Sequence, residues 1–254
     1  MKKNNLSPSE STAHKRYFEI DFWRGLAICM MIVFHFCFDL NFMGFAKIPI
    51  FSNPFWLVYR EFGVFIFLGI SGFCLVLEHQ NGIRWKLFWK RFLKLFIAGG
   101  LITLGSYYYD PSKTIWLGIL QFYALASLLG LYFLRWEKFN LLLGVLIVAL
   151  GFIGNANEAK NFMGIYWTWV GFGTMHLSTL EIFPLVPFFG YFLVGIYLGK
   201  KLLPTHPDYF FHEIAPESPL NRFFAFFGRY SLLTYLLHQP ILIGLLYAWK
   251  YLNP

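Results

Sequence analysis

Charge is scarce in this chain. Asp, Glu, Lys and Arg together make up 13% of its 254 residues, too few for a soluble globular domain or for any disordered class. Cysteine is scarcer still. Cys29, Cys37 and Cys74 all fall in apolar runs, with no metal-ligand spacing and no disulfide framework, so they read as packing residues and no metal is expected. No Walker-type or Rossmann glycine pattern is present, which removes nucleotide hydrolysis. No internal repeat is visible, so the inverted-repeat pattern of many transporters is missing. Met1 to Arg16 is polar and basic. The apolar run after it is too long for a signal-peptide core and lacks a small-residue cleavage site, so it is expected to stay as a signal-anchor helix.

What the chain has in abundance is apolar and aromatic surface. Hydrophobic residues reach 57% and aromatic residues 22%, with 32 phenylalanines. This composition suits a lipid-facing exterior with interfacial belts of Trp and Tyr. The expected fold class is all-α, a polytopic transmembrane helix bundle. Residues 1–15 form a flexible basic cytoplasmic N-terminus and residues 16–254 a single transmembrane domain. Windows of roughly 20 apolar residues predict about seven spans: Ile20–Phe42, Pro54–Leu77, Phe92–Tyr109, Ile115–Leu134, Phe139–Gly154, Phe183–Gly199 and Tyr230–Trp249.

The basic residues set the expected direction. With the N-terminus inside, sixteen of the 21 lysines and arginines lie on the cytoplasmic side. The other five are Lys47, Arg60, Lys113, Lys160 and Lys250. That bias predicts a cytoplasmic N-terminus and an outer C-terminus. The formal charge of +8 is therefore explained by loops facing the cytoplasm rather than by nucleic acid. The longest outer connection, Asn155 to Ile182, carries Tyr166, Trp167, Trp169 and His176, and such an aromatic loop is expected to lie at the headgroup level or to fold over a pocket mouth. The inner connection from Leu202 to Asn221 holds His206 and His212.

Against this background, the first span is chemically loaded. Asp21, Arg24, His35 and Asp39 fall on one helical stripe, because spacings of four, eleven and fourteen residues return to nearly the same face. Ionisable groups in a membrane span usually face the bundle interior, where they bind or react. His35 lies ~16 Å along the helix axis from Arg24, at or past the bilayer midplane. A neutral imidazole there can act as a base or nucleophile if a carboxylate holds its other nitrogen, and Asp39 is one turn away. Gly69, Ser71 and Gly72 in the second span allow a close helix approach or a ligand passage. The basic patch Arg84, Lys86, Lys90, Arg91 and Lys94 suits anionic lipid or a phosphorylated cytosolic donor such as coenzyme A. His238, followed by Gln239 and Pro240, and Gln121 in the fourth span are further buried polar groups.

Asp21-Phe22-Trp23-Arg24-Gly25-Leu26-Ala27 followed by His35 resembles the opening helix of the transmembrane acyltransferases. The Gly63–Phe73 segment resembles their second helix, and Phe227 to Pro240 their last. Phe34 to Leu40, Gly118 to Gln121 and Phe183 to Gly190 resemble small bacterial proteins with the catalytic domain of heparan-α-glucosaminide N-acetyltransferase. Two positions depart from the pattern: Gln121 stands where many relatives carry histidine, and Lys94 where the sugar O-acetylating branch has arginine.

The resemblance implies an enzyme of the bacterial inner membrane. It would move an acetyl or similar acyl group from cytosolic acyl-CoA to an extracytoplasmic acceptor, a cell-envelope sugar by analogy. His35 would be catalytic, as base or transient acyl carrier, with Asp39 and Arg24. Arg24, Lys90, Arg91, Lys94 and Ser71 would hold the donor, and Asp21, Gln121 and His238 would complete the polar interior. The alternatives are a proton-coupled transporter using His35, Asp39 and His238 as a relay, or an inactive membrane scaffold.

Overall fold

The computed structural model describes residues 17–156, 165–171, 181–205 and 218–253, and these are helical throughout apart from short connections. The basic N-terminus, His176, His206 and His212 lie outside the described residues. The helices are α1 (Phe18–Phe42), α2 (Pro54–Glu78), α3 (Trp85–Tyr109), α4 (Ile119–Phe133), α5 (Lys138–Ala156), α6 (Ile165–Val170), α7 (Leu185–Thr205), α8 (Pro219–Arg229) and α9 (Ser231–Leu252). Among the described helices, α1, α2, α7 and α9 are individually long and apolar enough to cross a membrane, and α4 and α5 are shorter apolar helices.

Local chemistry explains several boundaries. Asn53 caps α2: its Oδ1 accepts from the Phe55 N–H at 2.9 Å, and Pro54 follows in the first helical position, where a missing N–H costs nothing. Glu19 and Asp21 stand in the first turn of α1, where the helix dipole favours negative charge. Gly44, with φ of +80°, turns the chain out of α1.

Three departures from the sequence reading follow from the packing. Helix α3 begins at Trp85, about two turns before the apolar window, so Lys86, Lys90 and Arg91 are helical as well as Lys94. The window of hydropathy stops at Arg91, whereas the helix continues through the basic run because lysine and arginine are good helix formers. The fourth helix starts only at Ile119. Just ahead of it Leu117 forms an isolated parallel bridge with Ile182, and the Phe183 N–H donates to the Leu117 carbonyl at 2.9 Å. Non-helical backbone of this kind is tolerated at membrane depth when the protein buries it and satisfies its polar groups. The last expected span, Tyr230–Trp249, is the second half of a longer unit. Helix α8 precedes it and is broken from α9 at Tyr230.

Helix α7 packs along α2 and α5, and α8 lies along α1. Glycine sets both close approaches. A Cβ on Gly25 would overlap the Phe224 carbonyl oxygen, and one on Gly228 would overlap that of Asp21. Gly72 and Gly195 do the same for α2 against α7. In a bilayer, where lipid offers no hydrophobic drive for helix association, such backbone contact is a main source of packing energy. Because Gly25 meets α8, His35 meets His238 and Asp39 meets Gln239 in ascending order, the α8–α9 unit runs parallel to α1. Leu233, Leu237, Ile241 and Leu245 form an exposed apolar stripe on the far side of α9, suited to lipid. Helix α3 is peripheral, with Leu93, Phe96, Ile97, Leu101 and Leu104 exposed.

Candidate active site

The polar stripe of α1 faces α2 at one end and α9 at the other. Near the N-terminal end, the Arg24 guanidinium donates to the Cys74 sulfur of α2 at 3.3 Å and lies 3.8 Å from the Asp21 carboxylate. The Tyr123 phenol of α4 is within electrostatic range of it. Cys74, expected as a packing residue, is thus also the polar partner of a half-buried cation. Ser71 lies three residues before Cys74 on the same face of α2. Its hydroxyl donates to the Phe67 carbonyl at 2.7 Å, so in this state it serves its own helix.

The basic patch divides. Arg91 forms an ion pair with Glu78 at the end of α2, and Glu78 is only 8% exposed. Lys90 and Lys94 are exposed and make no ion pair among the described residues, so the structure joins Arg91 to the bundle and leaves the two lysines at its rim. Beside Glu78, His79 is 7% exposed and its Nδ1 donates to the Leu75 carbonyl at 2.8 Å. Burial pushes the His79 imidazole below its ordinary range; the Leu75 carbonyl opposes this and the Arg84 guanidinium adds to it.

Past the middle of α1, the His35 ring lies against the His238 ring of α9, their centres 5.1 Å apart. His35 is half-buried and forms no hydrogen bond among the described residues. His238 Nδ1 meets the Tyr235 carbonyl at 2.6 Å. A carbonyl only accepts, so that nitrogen carries the proton. The Tyr235 hydroxyl donates to both Glu181 oxygens, each at 3.1 Å. Glu181 Oε1 also accepts from the Ile119 N–H at 2.8 Å, capping α4 with a carboxylate where its dipole is positive. Gln121 does not reach His35. Its amide donates to the Gly99 carbonyl at 2.8 Å and the Thr103 hydroxyl at 2.9 Å, joining α4 to α3.

Asp39 departs from its expected role. It is 3% exposed, and its Oδ1 accepts from the Gln239 amide at 2.7 Å rather than from the His35 ring. Helix pitch puts His35 and Asp39 on one face, but each side chain turns to the nearest polar group of α9. Beyond them a cavity of about 30 Å³ is lined by Asp39, Gln239, Tyr109 and Tyr247, room for a water or two. Among the described residues no cluster of three or more His, Cys, Asp or Glu side chains could hold a metal ion.

Sequence reasoning passed over Glu181, Tyr235 and Glu78. Glu181 had a readable signal: it is one of 13 acids in the chain and stands directly ahead of an apolar span, where a carboxylate is costly without a partner. Glu78 stands at the membrane end of α2, and only the fold shows that Arg91 meets it.

An all-helical membrane bundle with a line of ionisable side chains through its interior defines the class. The chain matches the family described as heparan-alpha-glucosaminide N-acetyltransferase, catalytic, over residues 16–240, and it belongs to that family. The match covers α1 and runs into α9 as far as Pro240, so it includes Arg24, the His35–His238 pair, Glu181 and the Asp39–Gln239 bond, but not Tyr247 of the small cavity. No curated protein matches the chain, and no solved structure does. Family membership makes this a membrane protein of acetyltransferase type.

Proposed function

We propose that the protein transfers an acetyl or similar short acyl group from acyl-CoA, presented at the cytoplasmic end of α1, to a hydroxyl or amine on the opposite side. The acceptor we favour is a cell-envelope sugar, and the compartment is the bacterial inner membrane. The lysine and arginine distribution supports the direction. The observation that carries the reading is the His35 ring: half-buried, past the middle of α1, without a hydrogen bond among the described residues, and inside the family match.

The reaction forms a carbon–oxygen or carbon–nitrogen bond to the acyl carbon and breaks its bond to sulfur. The acceptor proton passes to imidazole and then to the CoA thiolate. His35 serves as base, or accepts the acyl group and passes it on; both routes need its neutral form. Arg24 stands ~16 Å away along the helix, a distance that the extended thiol arm of CoA must cover. Arg91, Lys90 and Lys94 supply cationic groups for the phosphates, and Ser71 and Cys74 flank the path beside Arg24.

The test uses purified protein in lipid nanodiscs with radiolabelled acetyl-CoA and a panel of amino sugars and polyols. Thiol release coupled to acceptor labelling is expected, and His35→Ala abolishes both. A wild-type protein inert towards every acceptor, or a His35→Ala variant at the wild-type rate, overturns the reading.

A further inference from the structure

We propose that His238 is a positioning residue for His35, the second imidazole through which His35 orients and exchanges its proton. The inference rests on the acyl-transfer reading and adds a residue and a role to it. Three observations carry it: the two rings are neighbours, His238 has a fixed tautomer, and its other nitrogen has no partner.

The ring centres are 5.1 Å apart, with planes at 60°. Two imidazoles joined by an N–H···N bond of about 2.9 Å would hold their centres about 5 Å apart, so the observed separation is that of a bonded pair and the unbonded His35 ring needs to reorient rather than approach. His238 Nδ1 gives its proton to the Tyr235 carbonyl. Neutral His238 therefore keeps its lone pair on Nε2, and Nε2 is buried without a hydrogen-bond partner. A buried unpaired acceptor costs about 1–3 kcal/mol, and the adjacent imidazole is the group able to satisfy it.

The surroundings suit a shared proton. Two imidazolium ions this close in a low-dielectric interior repel strongly, so the pair carries one extra proton at a time. The nearby titratable groups are Asp39 on α1, Tyr235 on α9 and Glu181 ahead of α7. Tyr235 packs against His238 with centres 5.5 Å apart and planes tilted by 43° and donates to Glu181, which places a carboxylate one phenol away from the imidazole pair. When the acceptor proton arrives on one nitrogen of His35, the proton on the other can move to His238 Nε2. The reverse transfer restores His35 as the thiolate is protonated. No proton is gained or lost in the cycle.

The competing role is purely structural, a ring that caps one carbonyl. Asparagine separates the two, because its amide N–H overlays Nδ1 and can still cap Tyr235, while nothing replaces Nε2. His238→Asn is expected to keep the wild-type unfolding temperature and the KM for acetyl-CoA, and to lower kcat about 100-fold, within the range of general acid–base effects. His238→Gln, whose amide oxygen reaches the Nε2 position, recovers part of that loss. Full kcat in His238→Asn overturns the proposal.

A second measurement does not depend on the variants of His238 folding. In protein labelled with ¹⁵N-histidine, the His238 Nε2 resonance is expected to shift when His35 is replaced by alanine; an unmoved resonance overturns the coupling. An inert wild type sinks the acyl-transfer reading and this inference with it, whereas an active wild type with a fully active His238→Asn sinks this inference alone.

Discussion

The Gln239 amide donates to Asp39 Oδ1 at 2.7 Å, joining α9 to α1 one turn beyond the His35 ring. The bond settles which helix the Asp39 carboxylate serves. It also leaves His35 with His238, rather than an acid, as its polar neighbour. Asp39 Oδ2 and the Gln239 amide oxygen are both buried without partners, so the link is a single donor between two costly groups.

Asp39→Asn is accordingly expected to be far milder than His35→Ala. If His35 does not depend on the carboxylate, the asparagine variant keeps transfer within about tenfold of wild type, less than the loss of a general base at 10²–10⁴. Acetyl transfer measured side by side in the two variants checks this. Equal collapse of both would restore Asp39 as the group that holds His35.

Tyr235→Phe removes the hydroxyl donated to both Glu181 oxygens and leaves a buried carboxylate one donor short. Stability is expected to fall by about 1–3 kcal/mol, read as a lower midpoint of thermal unfolding in detergent. In Tyr235→Phe/Glu181→Gln the group left one donor short is no longer a charge, so the double variant is expected to recover part of the loss. A double variant less stable than either single would mean that the carboxylate is held mainly by the Ile119 N–H and its other contacts rather than by this phenol.

The existence of most helices was legible from hydropathy alone, because a run of apolar residues such as Pro54–Glu78 admits no other structure in lipid. The polar stripe of α1 was legible from helical periodicity. Its partners were not. Asp39 meets Gln239 and His35 meets His238 across some 200 residues of chain, and spacing within one helix says nothing of what the neighbouring helix presents. The bridged segments at Leu117 and Ile182 were also hidden, since an apolar window reads the same for helix and for buried strand-like chain. Helix α8 escaped because Asn221, Arg222 and Arg229 dilute its hydropathy, although Gly228 packs it against α1 as tightly as any pair in the bundle.

That contact yields a stability prediction. Gly228→Ala would drive a methyl group into the Asp21 carbonyl, backbone against which no side chain can yield. Separation of α8 from α1 is expected, with a loss of about 3 kcal/mol or more, the upper range for overpacking. Gly100→Ala on α3 has open space around the added carbon and gains helix propensity, so it is expected to be neutral or stabilising by about 0.5–1 kcal/mol. Unfolding midpoints of the two variants test the α1–α8 interface directly. A tolerated Gly228→Ala would mean the helices lie farther apart than described.

His79 provides the pH dependence. It stands at the end of α2, just past the apolar span, and is 7% exposed. Burial holds its imidazole below the ordinary value, the Leu75 carbonyl opposes the shift, and Arg84 adds to it. The folded state therefore releases the His79 proton more readily than the unfolded chain, whose value stays near the ordinary imidazole figure of about 6.5. Below that value the unfolded chain binds the proton and the folded protein does not, so stability rises with pH across the window. The contribution is complete above about pH 6.5 and is lost as the pH falls towards the depressed folded value. Asparagine at this position keeps an N–H for the Leu75 carbonyl but cannot titrate. The unfolding midpoint of the wild type is expected to drop between about pH 7.5 and 5.5 by more than that of His79→Asn. Parallel midpoints in the two proteins would show that His79 is already exposed to protons in the folded state.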